Sequence, residues 1–445
     1  MVMRIYASVF KIYLSYPGAL SIMEIERELY VEKLCDHRWN GMVKIITGVR
    51  RCGKSFLLFN LFKKRLISEG VESEDIVEVK LEEMEAAPLR DPISLYDHIK
   101  TLTSDGRKRY VFIDEIQMVR RIKNPYMPDG DDITFYEPLN SLLNTGYLDL
   151  YVSGSNSHML SSDVLTQFRD RGDEIRIHPL SFSEYYAAKG GDRQSAYNDY
   201  LTFGGMPRIL SITSDNERAE YLKALFSETY LRDIKERHRI DHPDVLEGII
   251  DFIASNVGSL TNPKQMAAHF KDVSEGTVRT YIDYLKDAFL FSESQRYDVK
   301  GKKYFSYPQK YYCEDLGLRN ARLNFRQQEM THLMENAIYN ELRIRGYSVD
   351  VGVVTMNSKT KDGKSIRIPK EIDFIANRYD EKIYIQSAFA ISDREKMDSE
   401  TDQFKHTGDS FRKIVVRADV GNRWFDDNGV LHIGVIDFMM DKDLI

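Results

Sequence analysis

The residues with the most definite chemistry form one stretch, Gly48-Val-Arg-Arg-Cys-Gly53-Lys54-Ser55. It fits the pattern GxxxxGK[ST], it follows an apolar run at 43–47, and it opens a helical pattern over 54–66, which is the context such a loop requires. The glycines let successive backbone N–H groups curl around phosphates, and the helix N-terminus adds partial positive charge. Lys54 can reach the β- and γ-phosphate oxygens, and Ser55 can ligate Mg²⁺. Arg50, Arg51, Cys52 and Phe56 complete the cradle. A chance glycine turn is the bland alternative, but it does not account for a strand before the loop and a helix after it. A second group lies at Tyr110-Val-Phe-Ile-Asp114-Glu115. Four apolar residues form a buried strand that delivers two carboxylates at its C-terminal edge, where ligands bind in open α/β sheets. Asp114 suits the Mg²⁺ shell, and Glu115 suits the general base that takes a proton from the attacking water. The chemistry expected is binding and hydrolysis of ATP with Mg²⁺.

Less specific signals surround this pair. A third strand ends Val152-Ser153-Gly154-Ser155-Asn156-Ser157, so Asn156 or Ser155 is placed to reach the γ-phosphate, although the same residues are ordinary helix caps. Arg169 and Arg171 are candidate cations for the γ-phosphate, from the same chain or from a neighbouring subunit.

The elements that must position these groups follow from hydrophobic patterning. Short apolar runs at 43–47, 76–81, 110–113 and 148–153 alternate with helical patterns, which argues for a parallel sheet covered on both faces. The stretch 190–240 is mostly helical and is interrupted at Gly204-Gly205-Met206-Pro207. Residues 259–285 carry the apolar skeleton of a helix-turn-helix: Leu260, Met266, Ala267, Val273, Val278, Ile282 and Leu285. Runs at 290–296 and 303–307 would form its wing. If this unit binds DNA, Thr277, Arg279, Thr280 and Tyr281 face the groove, and Lys300, Lys302 and Lys303 meet phosphates. Glu275, Asp283 and Asp287 dilute that charge, so a rigid lid is the competing reading. A helix at 330–345 and strands near 348–354, 372–375, 383–386, 413–416 and 433–436 follow.

Composition sets outer limits. The chain has 445 residues, 42 % of them hydrophobic and 29 % charged, which suits about three domains. No run approaches the roughly 18 apolar residues of a membrane span. Cys35, Cys52 and Cys313 are the only cysteines; they form no CxxC pair, so a reducing cytoplasm is the natural compartment. The net charge of −7 means that any contact with nucleic acid must be local. In residues 1–22, Lys11 splits the apolar stretch and no good cleavage site follows, so this reads as an extension ahead of Met23 and not as a signal peptide.

The segments ITGVRRCGKS, FIDEIQ, SGSNSHML, HPLSFSEYY, YLTFGGMPRIL, QKYYCEDLGLRN, LMENAIYNELRIRGY, KEIDFIA and IYIQSAFAI together resemble the predicted AAA+-superfamily ATPases of prokaryotes that carry a DUF4143-type C-terminal region. The resemblance runs from Met23 to nearly the end of the chain. It implies an α/β P-loop parallel-sheet AAA+ core (23–189), a helical lid (190–240), a winged helix-turn-helix (241–304) and a restriction-endonuclease-like α/β domain (305–445). In a PD-(D/E)XK nuclease of that layout, two carboxylates grip Mg²⁺ and a lysine two residues past the second lies on the same strand face. Glu335, Asp373 and Gln386 fall at the matching positions. An amide replaces the second carboxylate and Ala388 replaces the lysine, so the site is expected to be degenerate, with Lys370 or Lys396 as spatial substitutes. The expected function is an ATPase that switches an assembly on DNA or a nucleoprotein complex. An ATP-gated protein-interaction switch is the alternative, and an ATP-dependent nuclease is a third; a protein partner or a second copy of the chain fits any of them.

Overall fold

A computed structural model describes residues 24–127, 129–154, 171–359, 365–391 and 393–445. Strands β1 (Val43–Thr47), β2 (Ile76–Lys80), β3 (Arg109–Asp114), β4 (Leu148–Ser153) and β5 (Gly172–Arg176) form a parallel sheet in the order β2-β3-β4-β1-β5. Every residue of β1, β3 and β4 is buried, as expected for strands covered on both faces. On one face Leu95, Ile99, Leu139 and Leu142 from the helices Pro92–Leu102 and Tyr136–Leu143 pack against Val43, Ile45, Val111 and Ile113. On the other face Leu58, Phe62 and Leu66 from the helical stretch 54–68 pack against Ile46, Phe112 and Tyr151. β5 has no counterpart among the expected strands. Its sequence, Gly-Asp-Glu-Ile-Arg, buries only Ile175, and it is a strand because it pairs with β1 along all five residues.

The second half is built on one mixed sheet of nine strands. They are β6 (Leu260–Thr261), β7 (Phe291–Asp298), β8 (Lys303–Cys313), β9 (Ser348–Lys359), β10 (Ser365–Arg378), β11 (Glu381–Ala388), β12 (Arg412–Arg417), β13 (Trp424–Phe425) and β14 (Leu431–Gly434), in the order β13-β14-β12-β11-β10-β9-β7-β8-β6. The hairpin β7–β8 is therefore no free wing. β7 also pairs in parallel with β9, through Arg296↔Val351, Tyr297↔Gly352 and Asp298↔Val353, and the boundary expected at 304/305 falls inside β8. An isolated two-stranded hairpin is marginal in water; here its second edge is covered.

The helices Pro243–Ser255, Pro263–Ala267 and Glu275–Asp287 precede this hairpin. Their apolar faces, including Leu246, Ile250, Val278 and Leu285, join the same core as the helix that follows the glycine loop. A separate core joins helices Phe182–Lys189, Arg193–Phe203, Met330–Ile344 and Val435–Met440 to the nine-stranded sheet. Both halves thus share buried apolar surface. Among the described residues, no helix is long and apolar enough to cross a membrane.

Candidate nucleotide-binding site

The loop after β1 has the backbone that its glycines predict. Gly48, Arg51 and Gly53 have φ of +139°, +64° and +102°, the kind of positive-φ turns from which anion-binding backbone concavities are built. A Cβ on Gly48 would stand 2.0 Å from the carbonyl oxygen of Ile177, so only glycine fits there. The helix starts at Lys54, whose buried ammonium donates to the carbonyls of Gly48 (3.0 Å) and Val49 (3.2 Å). Cys52 contributes backbone only; its Sγ is turned away, 3.5 Å from the Ile177 carbonyl.

Asp114 ends β3 beside the end of β4, and the Ser153 hydroxyl donates to its Oδ1. Glu115 follows in the left-handed region at φ +54°, a conformation that costs a non-glycine residue energy and is concentrated at functional positions. Its N–H faces Ser153 Oγ at 3.4 Å, and Gln117 Nε2 donates to its carboxylate. Burial pushes the Glu115 carboxyl above its usual range and neighbouring Asp114 adds to this, while the Lys54 ammonium opposes both. A raised carboxylate suits a proton acceptor. The cradle of N–H groups, the ammonium, the Ser55 hydroxyl and the Asp114 carboxylate together fit an ATP·Mg²⁺ group, with Ser55 and Asp114 on the metal side. When bound, that group would supply the phosphoryl bond to be broken.

Groups from distant parts of the chain hold the loop, and sequence reasoning assigns them no role. Arg27 donates to the carbonyls of Cys52 (3.2 Å) and His178 (2.9 Å) and pairs with Glu184 (2.9 Å). Tyr230 donates to the Arg50 carbonyl (2.6 Å), and the Arg50 guanidinium pairs with Asp233 at 2.7 Å. Pro207 lies 3.9 Å from the position a Gly53 Cβ would take. Its own turn is fixed from the C-terminal half, because the Gly205 N–H donates to Asp315 Oδ2 (2.7 Å) and the Leu318 N–H to Asp315 Oδ1 (2.9 Å). Next to it, Glu314 accepts from Arg176 (2.8 Å) and pairs with His178 (2.5 Å). The only sequence signal for these contacts is that HPLSFSEYY, YLTFGGMPRIL and QKYYCEDLGLRN stand out as motifs.

Other expected site residues fare differently. The Arg171 carbonyl accepts the N–H of Val43, the first residue of β1, and its guanidinium donates to Asn144. Since β5 runs parallel to β1, this is the edge opposite the glycine loop, one strand of five residues or roughly 16 Å away. Arg171 therefore does not serve the γ-phosphate position of its own chain. Ser155, Asn156 and Arg169 lie outside the described residues.

In the helix-turn-helix, Arg279 pairs with Glu275 (3.0 Å) on its own helix and lies over the Tyr307 ring at 4.3 Å. Tyr281 is buried, and its hydroxyl accepts the His242 N–H, so it does not face a groove. Lys300, Lys302 and Lys303 are exposed. Glu335, Asp373 and Gln386 do converge, and the lysine among them is Lys310 of β8. It is neither Lys370 nor Lys396, the latter being exposed on the helix Arg394–Thr401.

Comparison with known proteins agrees with the geometry of the first half. Residues 40–186 match the AAA domain family, and residues 194–329 match a domain of unknown function, DUF8612. An uncharacterized protein of Haemophilus influenzae is 32 % identical over 426 residues, covering 94 % of this chain and 98 % of that protein. An uncharacterized protein of Methanocaldococcus jannaschii is 27 % identical over 325 residues, covering 68 % and 67 %. Among solved structures, a Walker-type ATPase of Pyrococcus abyssi is similar over 67 % of this chain and 96 % of its own, at 14 % identity and a TM-score of 0.47.

Proposed function

The chain belongs to the same family as that Haemophilus influenzae protein, and on this premise we propose that it is an ATP-hydrolysing switch whose AAA domain acts on its own C-terminal half. The loop N–H groups and Lys54 hold the phosphates, Ser55 and Asp114 serve the metal, and Glu115 accepts the proton of the attacking water. The observation that carries the switch is the framing of the loop. The Gly205 turn beside Gly53 and the His178 segment behind Gly48 are bonded to adjacent residues of the C-terminal half, Asp315 and Glu314. A rearrangement of the loop on nucleotide binding thus strains contacts with the two residues that follow β8, and a bistable contact is what a ligand can bias.

The test uses Lys54→Ala and Glu115→Gln. The first should abolish nucleotide binding. The second should retain binding and lower turnover by about two to four orders of magnitude, the usual worth of a positioned base. In wild-type protein, amide exchange at 204–206 and 315–318 should differ between ATP-bound and ADP-bound states. Wild-type turnover by Glu115→Gln would remove Glu115 from this role, and identical exchange in both states would remove the switch.

A second reading, that the target is DNA, is favoured by the exposed Lys300 and Lys302 in the β7–β8 turn and Lys303 at the start of β8. With Arg279 and Tyr281 engaged within the protein, such contact would be to the phosphate backbone. The salt dependence of duplex binding separates this reading from a switch that acts on a protein.

A further inference from the structure

The layout of Glu335, Asp373 and Gln386 resembles a site that would hold a divalent metal, and the donor set of this chain can be tested against that group. Mg²⁺ asks for near-octahedral oxygens at about 2.0–2.1 Å. Here the carboxylates converge on an ammonium. Lys310 Nζ stands 2.8 Å from Glu371 Oε1, 3.0 Å from Glu335 Oε1 and 3.6 Å from Asp373 Oδ1. Lys310 is 3 % exposed and Glu335 8 %, so these charges face one another with little water between them. Neutral donors add to the ammonium's contacts. Tyr312 donates its hydroxyl at 2.8 Å to the same Glu335 Oε1 that faces the ammonium, and the Ser387 N–H reaches the second oxygen of Asp373, Oδ2, at 2.9 Å. The Gln386 carbonyl oxygen faces the Asp373 N–H at 3.4 Å, and its amide nitrogen faces Glu400 at the same distance. Among the described residues, no three His, Cys, Asp or Glu side chains converge in a way that could hold a metal ion. The residues present do not fit the metal.

We propose that the Lys310 ammonium is the resident cation of this cluster, standing in place of a divalent ion and tying β8 to β10 and to the helix Met330–Ile344. The fold explains how it gets there. Lys310 lies on β8, which reaches the cluster only because β7 pairs with β9 and draws the hairpin into the nine-stranded sheet. A lysine that reaches the site from another strand is invisible to a motif that looks two residues past Gln386. The charges support the assignment. Burial alone would lower the Lys310 ammonium, but Glu335, Asp373 and Glu371 more than offset this and hold it protonated. Burial, with Glu335 adding, pushes Asp373 upward. Unpaired carboxylates in such a place would be costly, so the ammonium is what allows them to remain there. With the ammonium in place the oxygens are spaced around a nitrogen at 2.8–3.6 Å, too wide for a metal; once it is removed, the Glu335, Glu371 and Asp373 side chains should close in on a divalent cation. This inference is independent of the ATPase reading.

The experiment titrates Mn²⁺ into the nucleotide-free full-length chain and counts bound ions by electron paramagnetic resonance. In wild-type protein, Asp373→Asn should not change the count. Lys310→Met should gain one Mn²⁺ per chain, bound at least tenfold more tightly than any at this cluster in wild type, and Lys310→Met/Asp373→Asn should lose it again. A wild-type Mn²⁺ that disappears in Asp373→Asn overturns the proposal, as does a folded Lys310→Met protein that gains none. If Lys310→Met is too unstable to titrate, its melting temperature should rise with added Mn²⁺ more than that of wild type. A chain that stays unfolded at every Mn²⁺ concentration also overturns the proposal.

Discussion

Glu314→Gln tests whether the joint between the two halves is an energetic link. Glu314 is buried beside Arg176 and His178. Burial by itself would raise its carboxyl, but the Arg176 guanidinium and then His178 more than offset this and hold it at about 2, against an ordinary 4.5. Burial also lowers His178, which leaves Arg176 as the constant partner at neutral pH. That displacement corresponds to about 3 kcal/mol of preference for the ionised form in the folded protein. A depressed carboxylate contributes stability that is present above its unfolded value and is lost as pH falls through its folded one. The contribution should therefore be complete at pH 7, begin to fall near pH 4.5 and be roughly halved by pH 3. Glu314→Gln keeps the shape, cannot titrate and leaves Arg176 without its carboxylate. Urea unfolding should show it about 3 kcal/mol less stable than wild type at pH 7, at the lower end of what breaking a buried ion pair costs, and the gap should narrow by about half at pH 3. Because His178 follows Ile177, whose carbonyl abuts Gly48, the KM for ATP should rise as well. A variant within about 0.5 kcal/mol of wild type at pH 7, the range of an ordinary surface substitution, or a gap that does not shrink on acidification, would refute the reasoning.

Two further outcomes are expected. Gly48→Ala would place a methyl 2.0 Å from the Ile177 carbonyl at φ +139°, so nucleotide binding, read by equilibrium dialysis, should be lost even where the protein still folds; unchanged affinity would contradict the loop geometry. Replacing Lys300, Lys302 and Lys303 with Ala should weaken duplex binding for all sequences alike and reduce the slope of log affinity against log salt by about one for each phosphate that is no longer neutralised, whereas an unaltered slope would exclude this turn as the site of DNA binding.

Much of the nucleotide site is legible in the sequence because its chemistry is contiguous. Eight residues from Gly48 to Ser55 carry the backbone geometry, the ammonium and the hydroxyl, and the apolar run before Asp114 announces both a buried strand and the edge at which it ends. β1, β3 and β4 are readable for the same reason: strands buried on both faces must be apolar throughout. β5 is not, because an edge strand with one buried side chain owes its state to the neighbour it pairs with. The position of Arg171 likewise depends on the direction in which β5 runs along β1. The wing hairpin is legible as two strands but not as part of a larger sheet, since only the pairing of β7 with β9 decides where a sheet stops. Lys310, Glu314 and Asp315 show the limit most directly. Their own neighbourhood, Lys-Tyr-Tyr-Cys-Glu-Asp, contains none of the partners that give them meaning: Glu335, Glu371 and Asp373 for the first, Arg176 and His178 for the second, Gly205 for the third. The glycine loop is readable from the chain alone because a few consecutive backbone dihedrals set its shape, and Asp114 and Glu115 because an apolar run announces the strand that ends there; the β3-β4-β1 pairing is what brings the two together. Which buried charges compensate one another is settled in the folded chain alone, because desolvation makes that pairing obligatory but does not say where along the chain the partner is found.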